Sequence, residues 1–345
     1  MKQYQQLLID ILNKGTRKLP ARQNLPFTIS LFGTRIEHDM SEGFPLLTTK
    51  KMAWKSIVHE LLWFLRGDTN IKYLVDNNVH IWDQDAYRWY LKTWNEYSDC
   101  FYHEQGDRNE VYNFQDFIDK IKTDSIDDTS IPNGYKLGDL GKVYGYQWRN
   151  QSGVDQVRVC LDELKNNLMG RYAIIDAWNP ADKKDQALPP CHLLYQFNCR
   201  ELSDSERLSY VPEEVCVNGN LEDIFRIYSP PRYFLDLQMY QRSCDTFLGV
   251  PFNIASMSLL LEIFAKYLNY IPGKIIWVGG DTHIYENHLD QVHEQLDRTP
   301  FDLPKIKINK QLNSIEDIEQ LTINDFELVD YKCHTSIKAE LKTGL

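Results

Sequence analysis

The sequence predicts an α+β fold, at a length that permits one large domain or two ordinary ones. Three observations carry this. Apolar residues recur at helical spacing over 4–14 and 54–66. A strict two-residue period runs through 232–241, where Tyr233, Leu235, Leu237 and Met239 share one face and Asp236, Gln238, Tyr240 and Arg242 the other. Helical and strand-like segments also follow one another without the regular alternation of a doubly wound sheet.

The elements follow in order. Tyr4, Leu7, Leu8, Ile11 and Leu12 form the stripe of the first helix, and Gly15 stops it. Trp54, Ile57, Val58, Leu61, Leu62 and Leu65 form the second stripe, ended by Gly67, with Asp68 or Thr69 placed to cap a helix at 71–78. Residues 95–135 are polar, with few apolar anchors outside 111–121, and read as a surface insertion holding a short helix near 114–122. Strands are expected at 172–178, 192–199, 232–241 and 274–278. Between 200 and 231 the run Ser203-Asp204-Ser205-Glu206, Pro212 and Pro230-Pro231 mark a second surface insertion. Helix 255–269, around Leu259-Leu260-Leu261, is apolar on nearly all sides and is expected to be central and buried.

Of the 345 residues, 43% are hydrophobic, enough for a sizeable core, and the formal net charge is −11. That acidity excludes a broad basic field for DNA but not a local arginine pocket for a small anion. No apolar run reaches the length of a membrane span, and the N-terminus lacks the apolar core of a signal peptide. Seven cysteines without a CxxC pair read as free thiols in a reducing, cytoplasmic setting, with neither a disulfide framework nor a metal site.

Four constellations bear chemistry. In Ala187-Leu188-Pro189-Pro190-Cys191-His192, two prolines stiffen the chain before a cysteine that begins a strand. A nucleophilic thiol needs such aim and a nearby cation, for which Arg242 is placed if the strands are adjacent. A buried structural cysteine fits the same pattern. The segment 240–253 gathers Arg242, Ser243, Asp245 and Asn253 where a polar strand end enters an apolar helix. That suits a phosphate and a base edge, and equally a polar loop with a capping residue. Glu60 flanks the stripe of helix 54–66 beside Ile57 and Phe64, placed either for proton transfer from a partly buried site or in solvent. Gly279-Gly280-Asp281-Thr282-His283-Ile284-Tyr285 follows a strand, and its glycines admit either a close ligand or a capped strand-to-helix turn.

Taken in order, His59-Glu60-Leu61-Leu62-Trp63-Phe64-Leu65, Ile81-Trp82-Asp83, Val143-Tyr144-Gly145 with Gln147-Trp148-Arg149, Pro190-Cys191-His192, 241–256 and 279–285 resemble the folate-dependent thymidylate synthase family. The resemblance covers nearly the whole chain apart from the two insertions, and it implies a single large domain, 1–345, in which a mixed β-sheet is packed by helices. It implies a dimeric enzyme that methylates deoxyuridylate (dUMP) at carbon 5, with 5,10-methylenetetrahydrofolate as carbon and hydride donor and no metal. By the same resemblance Cys191 is the nucleophile that adds to carbon 6. Glu60 manages protons with Tyr144 and His192, and Asn253 reads the uracil edge. Arg22, Arg242, Ser243 and Arg171 resemble the phosphate ligands, Arg171 arriving from the partner of a homodimer. His283 and Tyr285 resemble the pair on the deoxyribose hydroxyl. Asp245 resembles a pterin contact, and Trp82, Gly249, Phe252 and Ala339 resemble folate-pocket residues.

Three departures stand out. The arginine loop reads Ala21-Arg22-Gln23-Asn24-Leu25-Pro26-Phe27, bulkier than the family's small-residue loop. Tyr172 stands where the family has a second arginine beside Arg171, one charge-assisted bond fewer, or about 1.5–3 kcal/mol before compensation. The end, Ile337-Lys338-Ala339-Glu340-Leu341-Lys342-Thr343-Gly344-Leu345, begins like the family's closing tail but is longer and more polar. An altered tail and loop keep a second reading open, a deoxyuridylate hydroxymethylase in which water replaces hydride. A non-catalytic nucleotide- or RNA-binding homologue is a third reading, opposed by the intact Cys191, Glu60, Tyr144 and Asn253.

Overall fold

A computed structural model of the chain describes residues 1–19, 25–101, 111–124, 135–216 and 220–340, with the backbone alone at 95–101 and 216. The helices are α1 (Lys2–Lys14), α2 (Trp54–Leu65), α3 (Lys72–Asp76), α4 (Asp83–Phe101), α5 (Phe114–Thr123), α6 (Tyr144–Asn150), α7 (Gln156–Asn166), α8 (Asp204–Leu208), α9 (Glu213–Cys216), α10 (Leu221–Tyr228), α11 (Gly249–Leu268), α12 (Leu289–Leu296) and α13 (Ile315–Glu319). The strands are β1 (Thr16–Lys18), β2 (Thr28–Asp39), β3 (Ile174–Asp176), β4 (His192–Glu201), β5 (Tyr233–Asp245), β6 (Ile271–Tyr285), β7 (Lys305–Ile308) and β8 (Phe326–Val329). The class is the expected α+β.

Six strands form one mixed sheet in the order β1-β2-β6-β5-β4-β3. Every neighbouring pair is antiparallel except β5 and β6, which run parallel. A parallel pair needs a crossover, and α11 supplies it. That helix lies against the inner sheet face, where Leu235, Leu237, Met239, Ile275 and Trp277 are fully buried. Leu259, Leu260 and Leu261 are all fully buried too, as an apolar helix without a polar stripe requires. The alternate residues of β5, from Phe234 to Arg242, are half-buried or exposed.

Local rules explain where the expected elements shift. The helix expected at 71–78 is shorter, because Asn70 rather than Asp68 or Thr69 serves its first turn: Asn70 Oδ1 accepts the Lys72 N–H at 2.9 Å. The strand expected at 274–278 continues to Tyr285, so 279–285 is not a strand-to-helix connection. Its glycines make room for protein. A Cβ on Gly279 would lie 2.4 Å from the Trp277 ring, and one on Gly280 would lie 2.8 Å from the Tyr240 hydroxyl. Helix α11 begins earlier than expected, and Pro251 costs nothing there because first-turn N–H groups have no helical partner.

Candidate active site

Cys191 lies at the entry to β4, beside an irregularity between His192 and Leu194. The Arg242 N–H bonds the Cys191 carbonyl at 2.8 Å, which locks β5 to the cysteine. The Arg242 guanidinium then donates to the carbonyls of Pro190 at 2.7 Å and Pro189 at 2.8 Å. Those bonds bring Nη2 to 4.0 Å from Cys191 Sγ. The prolines thus present rigid carbonyls that hold the cation beside the thiol, as a thiolate site requires. None of the five cysteines with described side chains is in a disulfide. Burial pushes the Cys199 thiol up to about 11 and Cys244 up to about 12, which makes them inert near neutral pH. Cys191, half-buried, is the thiol with a guanidinium in reach.

A polar wall stands behind it. Glu60 is not a surface carboxylate: it is buried on α2, and the Trp82 indole N–H donates to its Oε1 at 2.8 Å. Burial raises its pKa to about 7, against the Trp82 bond that favours the charge. Tyr144 is buried at the start of α6, and its hydroxyl accepts the Cys191 N–H at 2.6 Å. Its ring stacks on His192 with centroids 4.2 Å apart. His192 pairs through Nδ1 with the Tyr195 hydroxyl at 2.8 Å, and burial lowers its pKa to about 3, so the imidazole stays neutral.

Asn253, on the first turns of α11, is aimed by a relay. The Trp277 indole can only donate, and it gives its N–H to Gln241 Oε1 at 2.9 Å. Gln241 must therefore turn its Nε2 toward Asn253, which accepts through Oδ1 at 3.0 Å. Asn253 keeps its Nδ2 donors and one Oδ1 lone pair for a ligand. Sequence reasoning missed Gln241 and Trp277. A signal existed: Gln241 continues the inward series Leu235, Leu237, Met239, where a polar residue demands a partner.

The remaining predicted residues fall into groups. Ser243 follows Arg242 and pairs in register with Asp281 of β6. His283 and Tyr285 lie further along β6 with ring centroids 5.0 Å apart. Asp245 caps the turn into α11, its Oδ1 accepting the N–H groups of Phe247 at 3.1 Å and Leu248 at 3.2 Å. Gly249 opens α11, and a Cβ there would meet Asn253 Oδ1 at 3.6 Å. Phe252 and Ala339 pack partly buried against the core. Arg171 and Tyr172 are exposed before the edge strand β3. Arg22 lies outside the described residues. Lys50, also missed, is buried with its ammonium 2.5 Å from the Phe247 carbonyl and 3.7 Å from that ring centroid. Burial lowers it to about 7, against the pull of Asp245. No pattern in the sequence marks it.

The arrangement offers an aimed thiol, a cation, a buried carboxylate near neutral pH and an oriented amide. Among the described residues no group of acidic, His and Cys side chains is gathered for a metal, and no helix is long and apolar enough to cross a membrane. The sequence model of the thymidylate synthase family matches residues 2–343. The thymidylate synthase of Mycoplasma mobile is 44% identical over 341 residues, 99% of each chain. That of Malacoplasma penetrans is 42% identical over 341 residues, again 99% of each, and that of Mycoplasma genitalium 41% over 337 residues, 98% of each.

Proposed function

Because this chain belongs to the thymidylate synthase family, we propose that Cys191, Glu60, Tyr144, His192 and Asn253 are the residues with which it methylates dUMP to thymidylate. The chain is an enzyme, a methyltransferase of nucleotide biosynthesis. The observation that carries the residue assignment is the Cys191 thiol held 4.0 Å from Arg242 by carbonyls of its own approach loop.

The Cys191 thiolate adds to carbon 6 of uracil, which turns carbon 5 into a nucleophile. The folate, 5,10-methylenetetrahydrofolate, supplies the one-carbon unit and the hydride and leaves as dihydrofolate. Glu60, poised near pH 7 by burial, takes and returns protons through the wall. The neutral His192 orders that wall as a hydrogen-bond partner and does not act as an acid. Asn253 donates from Nδ2 to uracil oxygen 4 and accepts the N3 proton at Oδ1, a pattern that cytosine reverses. Arg242 and Ser243, with Arg22, hold the phosphate, and His283 and Tyr285 hold the sugar hydroxyl. Asp245, Trp82, Gly249, Phe252 and Ala339 line the folate pocket.

The working unit is a homodimer in which Arg171 completes the partner's phosphate site. Arg171 is exposed, and the outer sheet face offers half-buried Leu194, Phe234, Tyr240, Ile276 and Val278 for a second copy. That none of the described cysteines is in a disulfide supports a cytoplasmic setting. We read the chain as a single domain with insertions at 95–135 and 200–231, of which 102–110, 125–134 and 217–219 lie outside the described residues. In the second, α10 leaves Leu221, Ile227 and Tyr228 exposed.

The deciding assay incubates the protein with dUMP and the folate and follows dihydrofolate absorbance together with the nucleotide product. Dihydrofolate with thymidylate is expected. Tetrahydrofolate with 5-hydroxymethyl product, or no turnover, would overturn the reading.

A further inference from the structure

Residues 331–340 contain no helix or strand, yet they follow one pinned course. The Tyr331 hydroxyl donates to the Leu47 carbonyl at 2.8 Å and accepts the Met52 N–H at 3.1 Å. The His334 N–H bonds the Thr48 carbonyl at 2.8 Å. Arg298 Nη1 donates to the carbonyls of Thr49 at 2.9 Å and Thr335 at 2.6 Å. Ile337 and Ala339 turn inward onto the core, and Lys338 and Glu340 turn out. The last described bond joins the Glu340 carbonyl to His288 Nε2 at 2.8 Å.

His288 is an unusual place to fasten a chain. Its ring is 1% exposed and sits beside Phe247 at 5.6 Å and edge-on to Tyr285 at 5.8 Å. A carbonyl only accepts, so Nε2 donates its N–H. The other ring nitrogen, Nδ1, is buried without a hydrogen-bond partner among the described residues. Burying an unpaired polar nitrogen is costly, and an apolar side chain of similar size would avoid that cost. Among the described residues, the one hydrogen bond this ring makes is to the terminal segment. Its neighbours are Tyr285, assigned above to the sugar, and Phe247, which lies between Asp245 and Gly249 of the folate pocket.

We propose that His288 is a positioning residue for the reaction: its Nε2–H latches the Glu340 carbonyl and so holds the C-terminal segment in register against the nucleotide- and folate-binding segments. The proposal rests on the functional reading above. The latch grips backbone, not side chain, so polar outward residues such as Lys338 and Glu340 leave it intact. Holding this segment keeps water from the site after carbon 5 has lost its proton, when hydride transfer must follow.

The test compares tritium release from 5-tritiated dUMP with dihydrofolate formation in the full-length enzyme. The unsubstituted enzyme should form the two in equal amounts. His288→Leu should raise tritium release over dihydrofolate by at least about twofold, with dUMP affinity unchanged. His288→Gln keeps an N–H donor of similar reach and should restore near-equal amounts. A chain ending at Ala339 should uncouple like His288→Leu, and adding His288→Leu to it should change nothing further, because both remove the same bond. Equal amounts in His288→Leu, equal uncoupling in the Gln and Leu variants, or an added effect in the shortened chain would each overturn the latch. If His288→Leu does not fold, tight coupling in the chain ending at Ala339 overturns it. Absence of dihydrofolate from the unsubstituted enzyme would instead overturn the functional reading, and the latch with it.

Discussion

Strand β5 has two faces that follow different rules until they reach the site. Its inner face is apolar for most of its length: Leu235, Leu237 and Met239 are fully buried against α11. Its outer face alternates Phe234, Asp236, Gln238 and Tyr240, all half-buried or exposed. Near its end the assignments change. Inward, Gln241 replaces an aliphatic residue and spends its amide on Trp277 and Asn253. Outward, Arg242 bends over the cysteine loop. The comparison teaches that one strand can anchor the core and present polar groups to a ligand, because each buried polar group there has a partner that fixes its direction.

The largest effect should come where the outer face meets chemistry. Cys191→Ser keeps the loop and the Arg242 bonds but replaces a thiolate with a poorly ionised hydroxyl. Turnover should fall by at least about 10³-fold, roughly 4 kcal/mol of barrier, in steady-state assays. Residual activity above roughly a few per cent of the parent would reassign the nucleophile.

Next is the core half of the comparison. Leu237→Ala should lower unfolding free energy by about 2–5 kcal/mol in urea melts, clearly more than Gln238→Ala, one residue along on the face offered to a second copy. Similar losses at both positions would mean that the outer face is also sealed within one chain.

Interface chemistry sharpens the same point. Ile276→Asp places a charge on the outer face next to β5 without touching the inner core. Light scattering should show a shift from dimer toward monomer, with activity falling alongside. An unchanged dimer would move the interface elsewhere.

Removing the relay should cost less. Gln241→Leu frees Asn253 to rotate and leaves the Trp277 N–H unpaired, a loss of about 1–3 kcal/mol in stability. Discrimination between dUMP and deoxycytidylate in binding assays should weaken. Preserved discrimination would mean that Asn253 is oriented by something other than Gln241.

The smallest effect is a pH shift. Burial raises the Glu60 pKa to about 7, and the Trp82 bond opposes that rise. The carboxylate therefore forms as pH climbs through about 7, and activity that needs it rises over the same range. Trp82→Phe deletes the opposing bond, so the acid limb of the rate profile at saturating folate should move to higher pH. Glu60→Gln should remove that limb. A limb unmoved in Trp82→Phe would belong to another group.

The sequence by itself determined the α+β class, the stripes of α1 and α2, the alternation of β5 and the buried helix α11, because these are periodic and need only the chain's own spacing. It also placed Cys191, Arg242 and Asn253 in recognisable company. Elements without clear periodicity were not legible: β2, whose exposed middle breaks alternation, and α4 and α7, which lie in or beside polar stretches. Glu60 looked as suited to water as to the interior, and only packing against Trp82 and Tyr144 decided for the interior. The glycines of β6 suggested room for a ligand, and only the approach of Trp277 and Tyr240 showed that protein needs the space. The direction of the Asn253 amide, the cation beside Cys191 and the hold of His288 on Glu340 all join residues far apart in the chain. Such bonds are set by which strands and turns meet in space, and no local spacing encodes them.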